Sequence, residues 1–275
     1  MLLTITLLVL IGGLSAIIGS IVGIGGGIII VPTMVYLGVE HGLLHNITTQ
    51  VAIGTSSVIL IVTGLSSSLG YLKTKQVDIK NGSIFLFGLL PGSLLGSFIS
   101  RYLTFESFNL YFGIFLIFVA ILLMVRNKIK PFKIFDKPKY EKTYVDAKGK
   151  TYHYSVPPLF AFITTFLIGI LTGLFGIGGG ALMTPLMLIV FRLPPHVAVG
   201  TSMMMIFFSS VMSSIGHIAQ GHVAWGYAII LIISSYFGAK IGVKVNQSIK
   251  SDTVVTLLRT VMLLMGIYLI IRALI

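Results

Sequence analysis

The stretch Gly23-Ile24-Gly25-Gly26-Gly27, followed by Pro32, returns as Gly176-Ile177-Gly178-Gly179-Gly180, followed by Pro185. A second shared signature lies downstream of each copy, Ala52-Ile53-Gly54-Thr55-Ser56 and Ala198-Val199-Gly200-Thr201-Ser202. Agreement continues in Ser68-Leu69-Gly70 against Ser214-Ile215-Gly216, and in Gly92 and Gly96 against Gly238 and Gly242. Both glycine runs interrupt long apolar sequence. The pattern implies a duplicated membrane protein whose halves build one site from interrupted helices.

Composition agrees. Of the 275 residues, 56% are hydrophobic and 9% charged, and the mean hydropathy is +1.03. A soluble domain carries about 25% charged residues, so this chain cannot coat a water-facing surface. Apolar windows of the roughly 20 residues that a bilayer span needs recur along it. They cover 2–39, broken at the glycines and Pro32, then 46–72, 81–101 and 106–125. After a polar stretch come 157–192, broken at its glycines and Pro185, then 195–220, 224–247 and 252–274. The expected organisation is a first transmembrane repeat over 1–125, a basic linker over 126–156 and a second repeat over 157–275. The absence of cysteine excludes disulfides, thiol chemistry and Cys-ligated metals. The net charge is +12, and nine of the 19 Lys and Arg fall between Arg126 and Lys150. That is one basic loop rather than a nucleic-acid surface. The N-terminus has no basic n-region and no small-residue cleavage site, and is read as a retained segment.

Within the linker, Tyr144, Asp146, Thr151 and His153 flank Ala147-Lys148-Gly149-Lys150. Alternation around a glycine-containing turn points to a β-hairpin. Basic loops stay cytoplasmic, which puts 126–156 inside. Counting back through two spans puts Lys73, Lys75 and Lys80 inside as well. Counting forward, Lys240, Lys244 and Lys250 end inside only if 157–192 enters and returns rather than crossing once. Applied to both halves, this makes the repeats inverted. The alternative is eight simple spans in two parallel repeats, since 4–22 is long enough to cross alone. Gly88, Gly92 and Gly96 share a helix face, as do Gly238 and Gly242, and read as close helix packing.

Chemistry concentrates at the breaks. Each interior glycine costs a helix roughly 1 kcal/mol relative to alanine, so three together, twice, serve a purpose. A helix restarting after the break aims free N–H groups and a positive dipole end at the gap, an anion site. Pro32 and Pro185 leave a further carbonyl unpaired, and Thr55, Ser56, Thr201 and Ser202 add hydroxyl donors. Neither copy has the spacing of a dinucleotide fingerprint. Glu40, Asp78, Glu106 and Asp252 all lie near segment ends. With no carboxylate deep in a span, a carboxylate sodium site and a cation substrate are disfavoured. No histidine pair has metal-ligand spacing, and no cofactor is expected. His41, His45, His196, His217, His222, Arg192 and Arg259 are secondary candidates for meeting an anion. Met203-Met204-Met205 reads as core. Trp225 reads as an interface anchor.

Gly-Ile-Gly-Gly-Gly followed by Pro, then Ala-x-Gly-Thr-Ser, in both halves around a polar central loop resembles the TauE/SafE sulfite exporter family. The resemblance covers essentially the whole chain. It implies a multi-pass transporter in the cytoplasmic membrane of a prokaryote, carrying sulfur-containing anions such as sulfite or sulfonates like sulfoacetate. The matching site positions are Gly25, Gly26, Gly27, Pro32, Thr55 and Ser56, with Gly178, Gly179, Gly180, Pro185, Thr201 and Ser202. The expectation is thus an all-α polytopic membrane protein, not an enzyme, that exports a small anion by alternating access. Its partners are the substrate and the bilayer, with no nucleic acid. A passive anion channel, or a carrier of other small organic acids, is the alternative.

Overall fold

The computed structural model describes residues 2–102, 104–125, 141–145 and 151–274. In chain order the described helices are α1 (Leu2–Val22), α2 (Gly27–Val35), α3 (Thr49–Lys73), α4 (Ile79–Ile99) and α5 (Phe105–Val125). After the linker come α6 (Pro158–Phe175), α7 (Gly180–Ile189), α8 (Pro195–Ala219), α9 (Trp225–Ser248) and α10 (Ser251–Leu274). Eight of these are long and apolar enough to cross a membrane; α2 and α7 are not. A π-helical turn, Tyr36–Glu40, extends α2, and a 3-10 turn, Ser100–Tyr102, follows α4. Between α5 and α6, strands β1 (Glu141–Val145) and β2 (Thr151–Ser155) pair antiparallel, with Thr143 opposite His153. Residues 146–150, where the sequence predicts the turn, and the basic run at 126–140 lie outside the described residues.

Local chemistry sets the helix ends. Thr48 Oγ1 accepts from Val51 N to open α3, and Asp78 Oδ1 accepts from Asn81 N to open α4. Pro158 and Pro195 occupy the first turn of α6 and α8, where a missing N–H costs nothing. α1 and α6 stop at glycine breaks. Gly23, Gly25 and Gly26 have φ of +78°, +80° and +90°; Gly176, Gly178 and Gly179 have +66°, +69° and +76°. A side chain strains the backbone in that left-handed region, which accounts for the same three glycines in each copy.

The long helices pack in reciprocal pairs. α1 lies along α9 in the same direction: Gly12 faces Leu231 and Ser234, Gly238 faces Gly13, and Gly242 faces Ile17 and Ser20. α6 lies along α4 in the same direction: Gly88 faces Phe162, Gly92 faces Phe166 and Gly96 faces Ile170. A Cβ on these glycines would meet backbone carbonyls of the partner, so the small-residue faces permit the close crossings. α3 and α8, by contrast, run in opposite directions. Gly54 faces His217, Ser57 Oγ lies 3.2 Å from Ser213 Oγ, Gly64 faces Phe207, and Gly200 faces Tyr71. α5 and α10 are also antiparallel, with Gly113 against Ile270 and Gly266 against Ile117.

α3 and α8 form the centre, with 78% and 72% of their spanning windows enclosed, against 28% for α10. Phe87, Leu159, Leu264 and Phe237 are among the large apolar side chains left exposed around the outside. That surface is matched to lipid, which explains why a chain so poor in charge folds without a polar coat.

The bundle has two chemically different ends. At one, Asp78 N donates to Thr201 Oγ1 (2.9 Å), Gly200 meets Gln76, and His196 Nδ1 lies 2.9 Å from Asn246 Oδ1. The C-termini of α3 and α9 and the N-termini of α4, α8 and α10 lie there, bringing Lys73, Lys75, Lys80, Lys244 and Lys250 to one end. At the other, Ala224 N donates to Thr55 Oγ1 (3.0 Å), His45 N donates to the Tyr227 hydroxyl (3.0 Å) and Gln220 Nε2 donates to Ser97 O (2.9 Å). His222 borders Gly54 at this end.

Candidate functional site: two interlocked helix breaks

At the first break, the N–H groups of Gly23, Ile24 and Gly25 all turn back to Gly19 O, at 2.9, 2.9 and 3.2 Å. α2 then restarts with Ile29 and Ile30 donating to Gly26 O, both at 3.0 Å. The second break restarts α7 in the same way, with Leu182 and Met183 donating to Gly179 O at 3.0 and 2.8 Å. The first N–H groups of any helix lack intrahelical acceptors, so two sets of amide donors open into the bundle.

The two breaks touch. A Cβ on Gly27 would lie 2.8 Å from Gly176 O and from Ile177 Cα. A Cβ on Gly180 would lie 2.6 Å from Gly23 O. The N-terminus of α2 therefore abuts the C-terminus of α6, and that of α7 abuts that of α1. The glycines that start α2 and α7 are required by this crossing, whereas the other three of each run are required by their φ. Gly25, Gly27 and Gly178 pack against the Leu60 side chain, and Gly25, Gly178 and Gly180 against Ile206. Leu60 and Ile206 are both fully buried and stand four residues beyond Ser56 and Ser202.

The signature hydroxyls join the breaks to α3 and α8. Ser56 Oγ donates to Gly176 O at 2.9 Å, and Ser202 Oγ donates to Gly23 O at 2.8 Å. Each serine thus satisfies the helix-end carbonyl of the other half, rather than a carbonyl of its own helix. Thr55 and Thr201 act as acceptors for the backbone N–H groups that precede α9 and α4. Sequence reasoning treated these threonines as added donors, and side-chain chemistry alone does not distinguish the two roles. Thr184 Oγ1 also donates to Gly23 O (2.8 Å), and Ser209 Oγ donates to Gly178 O (3.0 Å). Thr184 and Ser209 were missed, as were Leu60 and Ile206. The last two carry a signal, because each stands four residues beyond the serine of its signature.

Pro32 is buried within α2, while Pro185 of α7 lines an apolar cavity of about 180 Å³ with Phe115, Val119 and Leu171. Arg192 and Arg259 are half-buried near the lysine-rich end, away from the breaks. Met203 and Met205 are fully buried core, and Trp225 is 52% exposed at the start of α9. His41 and His45 lie in the connection after α2. His222 is outside the spans, and burial pushes its imidazole below the ordinary histidine pKa. Among the described residues no group of His, Asp and Glu is arranged to hold a metal ion.

Eight helices long and apolar enough to cross a bilayer, with a lipid-matched surface around them, define a multi-pass membrane protein. Comparison with known proteins defines it further. A family model described as "Sulfite exporter TauE/SafE" matches residues 8–269. The chain is 43% identical over 264 residues to the probable membrane transporter protein YunE of Bacillus subtilis, covering 96% of each chain. It is 26% identical over 279 residues to a probable membrane transporter of Methanocaldococcus jannaschii, covering 98% of this chain and 96% of the relative. A shorter match, 38% over 90 residues, is to Sulfite exporter TauE/SafE family protein 2 of Arabidopsis thaliana, covering 33% of this chain and 19% of that protein. No solved structure matches. The chain belongs to the TauE/SafE sulfite exporter family and is a membrane transporter, not an enzyme.

Proposed function

We propose that this transporter exports sulfite or a small organosulfonate, such as sulfoacetate, by alternating access about the paired glycine breaks. The observation that carries the reading is the contact between Gly27 and Gly176 and between Gly180 and Gly23. It brings the donor ends of α2 and α7 to one place in the buried centre of the bundle, where peptide N–H groups bind an anion without needing a buried cation. Substrate oxygens meet the amides of Gly26 and Gly27 and of Gly178, Gly179 and Gly180 as Leu60 and Ile206 withdraw, while Gly25, its N–H held by Gly19 O, shapes the first break. Thr55, Ser56, Thr201 and Ser202 hold the walls of that site, and Pro32 and Pro185 keep α2 and α7 short and stiff. An inside-negative potential favours anion exit by about 2.3 kcal/mol per charge per 100 mV.

In this reading 1–125 and 157–275 are inverted repeats joined by a cytoplasmic linker at 126–156, and α1–α2 and α6–α7 are re-entrant hairpins. Repeats related by an axis along the membrane normal would keep equivalent helices parallel. α3 against α8 and α5 against α10 are antiparallel, which supports an axis in the membrane plane. The gathering of Lys73, Lys75, Lys80, Lys244 and Lys250 at one end supports that end as the cytoplasmic one. With no native cysteine, single-cysteine labelling is direct. Ser248→Cys is expected to react only from the cytoplasm and Leu274→Cys only from outside. Labelling of both from one side would exclude the inverted arrangement.

Function is tested by uptake of labelled sulfite into proteoliposomes, with sulfoacetate, sulfate, acetate and chloride as competitors. Saturable flux that sulfonates block and chloride does not is the expected result. Flux that rises linearly through millimolar sulfite, with no counterflow, would instead identify a channel. Inhibition by acetate but not by sulfonates would move the substrate to carboxylic acids.

A further inference from the structure

One face of α8 carries polar atoms that the packing leaves without partners. Ser210 Oγ, Ser214 Oγ and His217 Nδ1 are buried and make no hydrogen bond, and Gln220 Oε1 and His222 Nδ1 continue the set. Ser210, Ser214 and His217 fall on one helix face at i, i+4 and i+7. The row begins at the second break, where a Cβ on Gly178 would lie 3.1 Å from Ser210 Oγ. It ends at the lysine-poor end, where the His217 and His222 rings are 6.3 Å apart. Buried polar groups in a native protein have partners almost without exception, so five unpaired atoms in one row from site to surface call for a ligand or water.

The duplicated position in the other half shows what is special here. There Tyr71 Oη donates to Ser20 O at 2.7 Å, three residues before Gly23. Here His217 Nε2 lies 3.1 Å from Gly173 O, three residues before Gly176. A carbonyl only accepts, so Nε2 carries the proton and Nδ1 of the neutral ring holds a free lone pair. The Ser210 position corresponds to Gly64. One half thus ends its contact in a tyrosine. The other half substitutes an imidazole with a second, unused nitrogen. α3 presents Gly54 to His217, α6 presents Gly173, and α4 reaches this turn through Ser97. None of these ionises, and His222 is the ionisable group facing it.

We propose that Ser210, Ser214 and His217, entered past His222, form a proton-dependent oxyanion site between the second break and the outer end. This rests on the anion-transport reading and adds an outer station to it. Protonation at Nδ1 turns the acceptor of the His217 ring into a charged donor, and the Ser210 and Ser214 hydroxyls then complete a set of donors for a small oxyanion, with Gln220 Oε1 beyond them toward the surface. Because the proton and the anion bind together, affinity from this side rises as pH falls, by at most about tenfold per pH unit for one proton.

Binding of methanesulfonate, whose own charge is constant over this range, to the purified protein in nanodiscs tests the site. Affinity is expected to rise at least about fivefold from pH 7.5 to 5.5 in the unaltered chain and in His45→Gln, within the one-proton limit. In His217→Tyr, which copies the other half and retains a donor for Gly173 O, the pH dependence should vanish. A pH dependence that persists in His217→Tyr overturns the proposal. If the unaltered chain binds neither methanesulfonate nor sulfite, the organosulfur reading fails. The histidine is then judged by itself through ¹⁵N spectra of histidine-labelled protein. An unprotonated His217 Nδ1 at pH 7.5 that gains a proton as the pH falls to 4 supports the site; one protonated at pH 7.5, or unchanged at pH 4, overturns it.

Discussion

Gly180→Ala is expected to lower transport by about tenfold or more per inserted molecule, and Gly27→Ala to do the same. Alanine ordinarily improves a helix by about 1 kcal/mol over glycine, and neither position has a left-handed φ. The loss comes from what the methyl group meets. At Gly180 it lies 2.6 Å from Gly23 O and presses on Ile206, and at Gly27 it lies 2.8 Å from Gly176 O and Ile177 Cα. These are backbone atoms, two of them already held by serine hydroxyls, so they cannot swing aside as a side-chain tip would. The breaks must separate by several tenths of an ångström, which misplaces two sets of amides together. Misplacement of about 1 Å is enough to lose about 100-fold in a preorganised site. Gly26→Val and Gly179→Val act differently, forcing a branched residue into φ of +90° and +76°, at a cost of about 1–3 kcal/mol each. Gly226→Ala is the control, with open space around its added methyl. Full flux from Gly27→Ala and Gly180→Ala proteins that insert normally would end the argument that the interlock forms the site.

The second large effect is an asymmetry between the signature serines. Gly23 O takes two hydroxyls, from Ser202 and Thr184, whereas Gly176 O takes the one from Ser56. Ser56→Ala is therefore expected to destabilise by about 1–3 kcal/mol, the cost of stranding a buried acceptor. Ser202→Ala should cost about 1 kcal/mol or less, because Thr184 stays in place. Ser202→Ala with Thr184→Val should bring the loss up to that of Ser56→Ala. Thermal unfolding of the purified variants in one detergent measures all four proteins. Equal losses for the two single serine variants would show that the carbonyls are not the sites of the effect.

Sequence reading reached the breaks because their requirement is local. Positive φ at Gly23, Gly25 and Gly26 and at their counterparts follows from the residue type. The close-packing stripes were legible for a similar reason, since Gly88, Gly92 and Gly96 lie on one face whatever they pack against. The serines were not legible to the same degree. Ser57 and Thr63 of α3 bond back to Ile53 O and Ile59 O of their own helix, and nothing local distinguishes them from Ser56. Leu60 and Ile206 look like any core residues until the breaks are placed beside them. His217 stood out only as one histidine among six.

By itself, then, the sequence determined that this is a lipid-embedded, helical chain that carries one glycine signature twice, with a backbone break at each copy, because composition, period and glycine chemistry act within a few residues. Tertiary structure alone decided that the α2 and α7 glycines lodge against the other half's carbonyls, and that one row of α8 is left unpaired. Those facts depend on contacts between residues more than a hundred positions apart, and no local pattern specifies which hydroxyl will meet which carbonyl once the helices are packed.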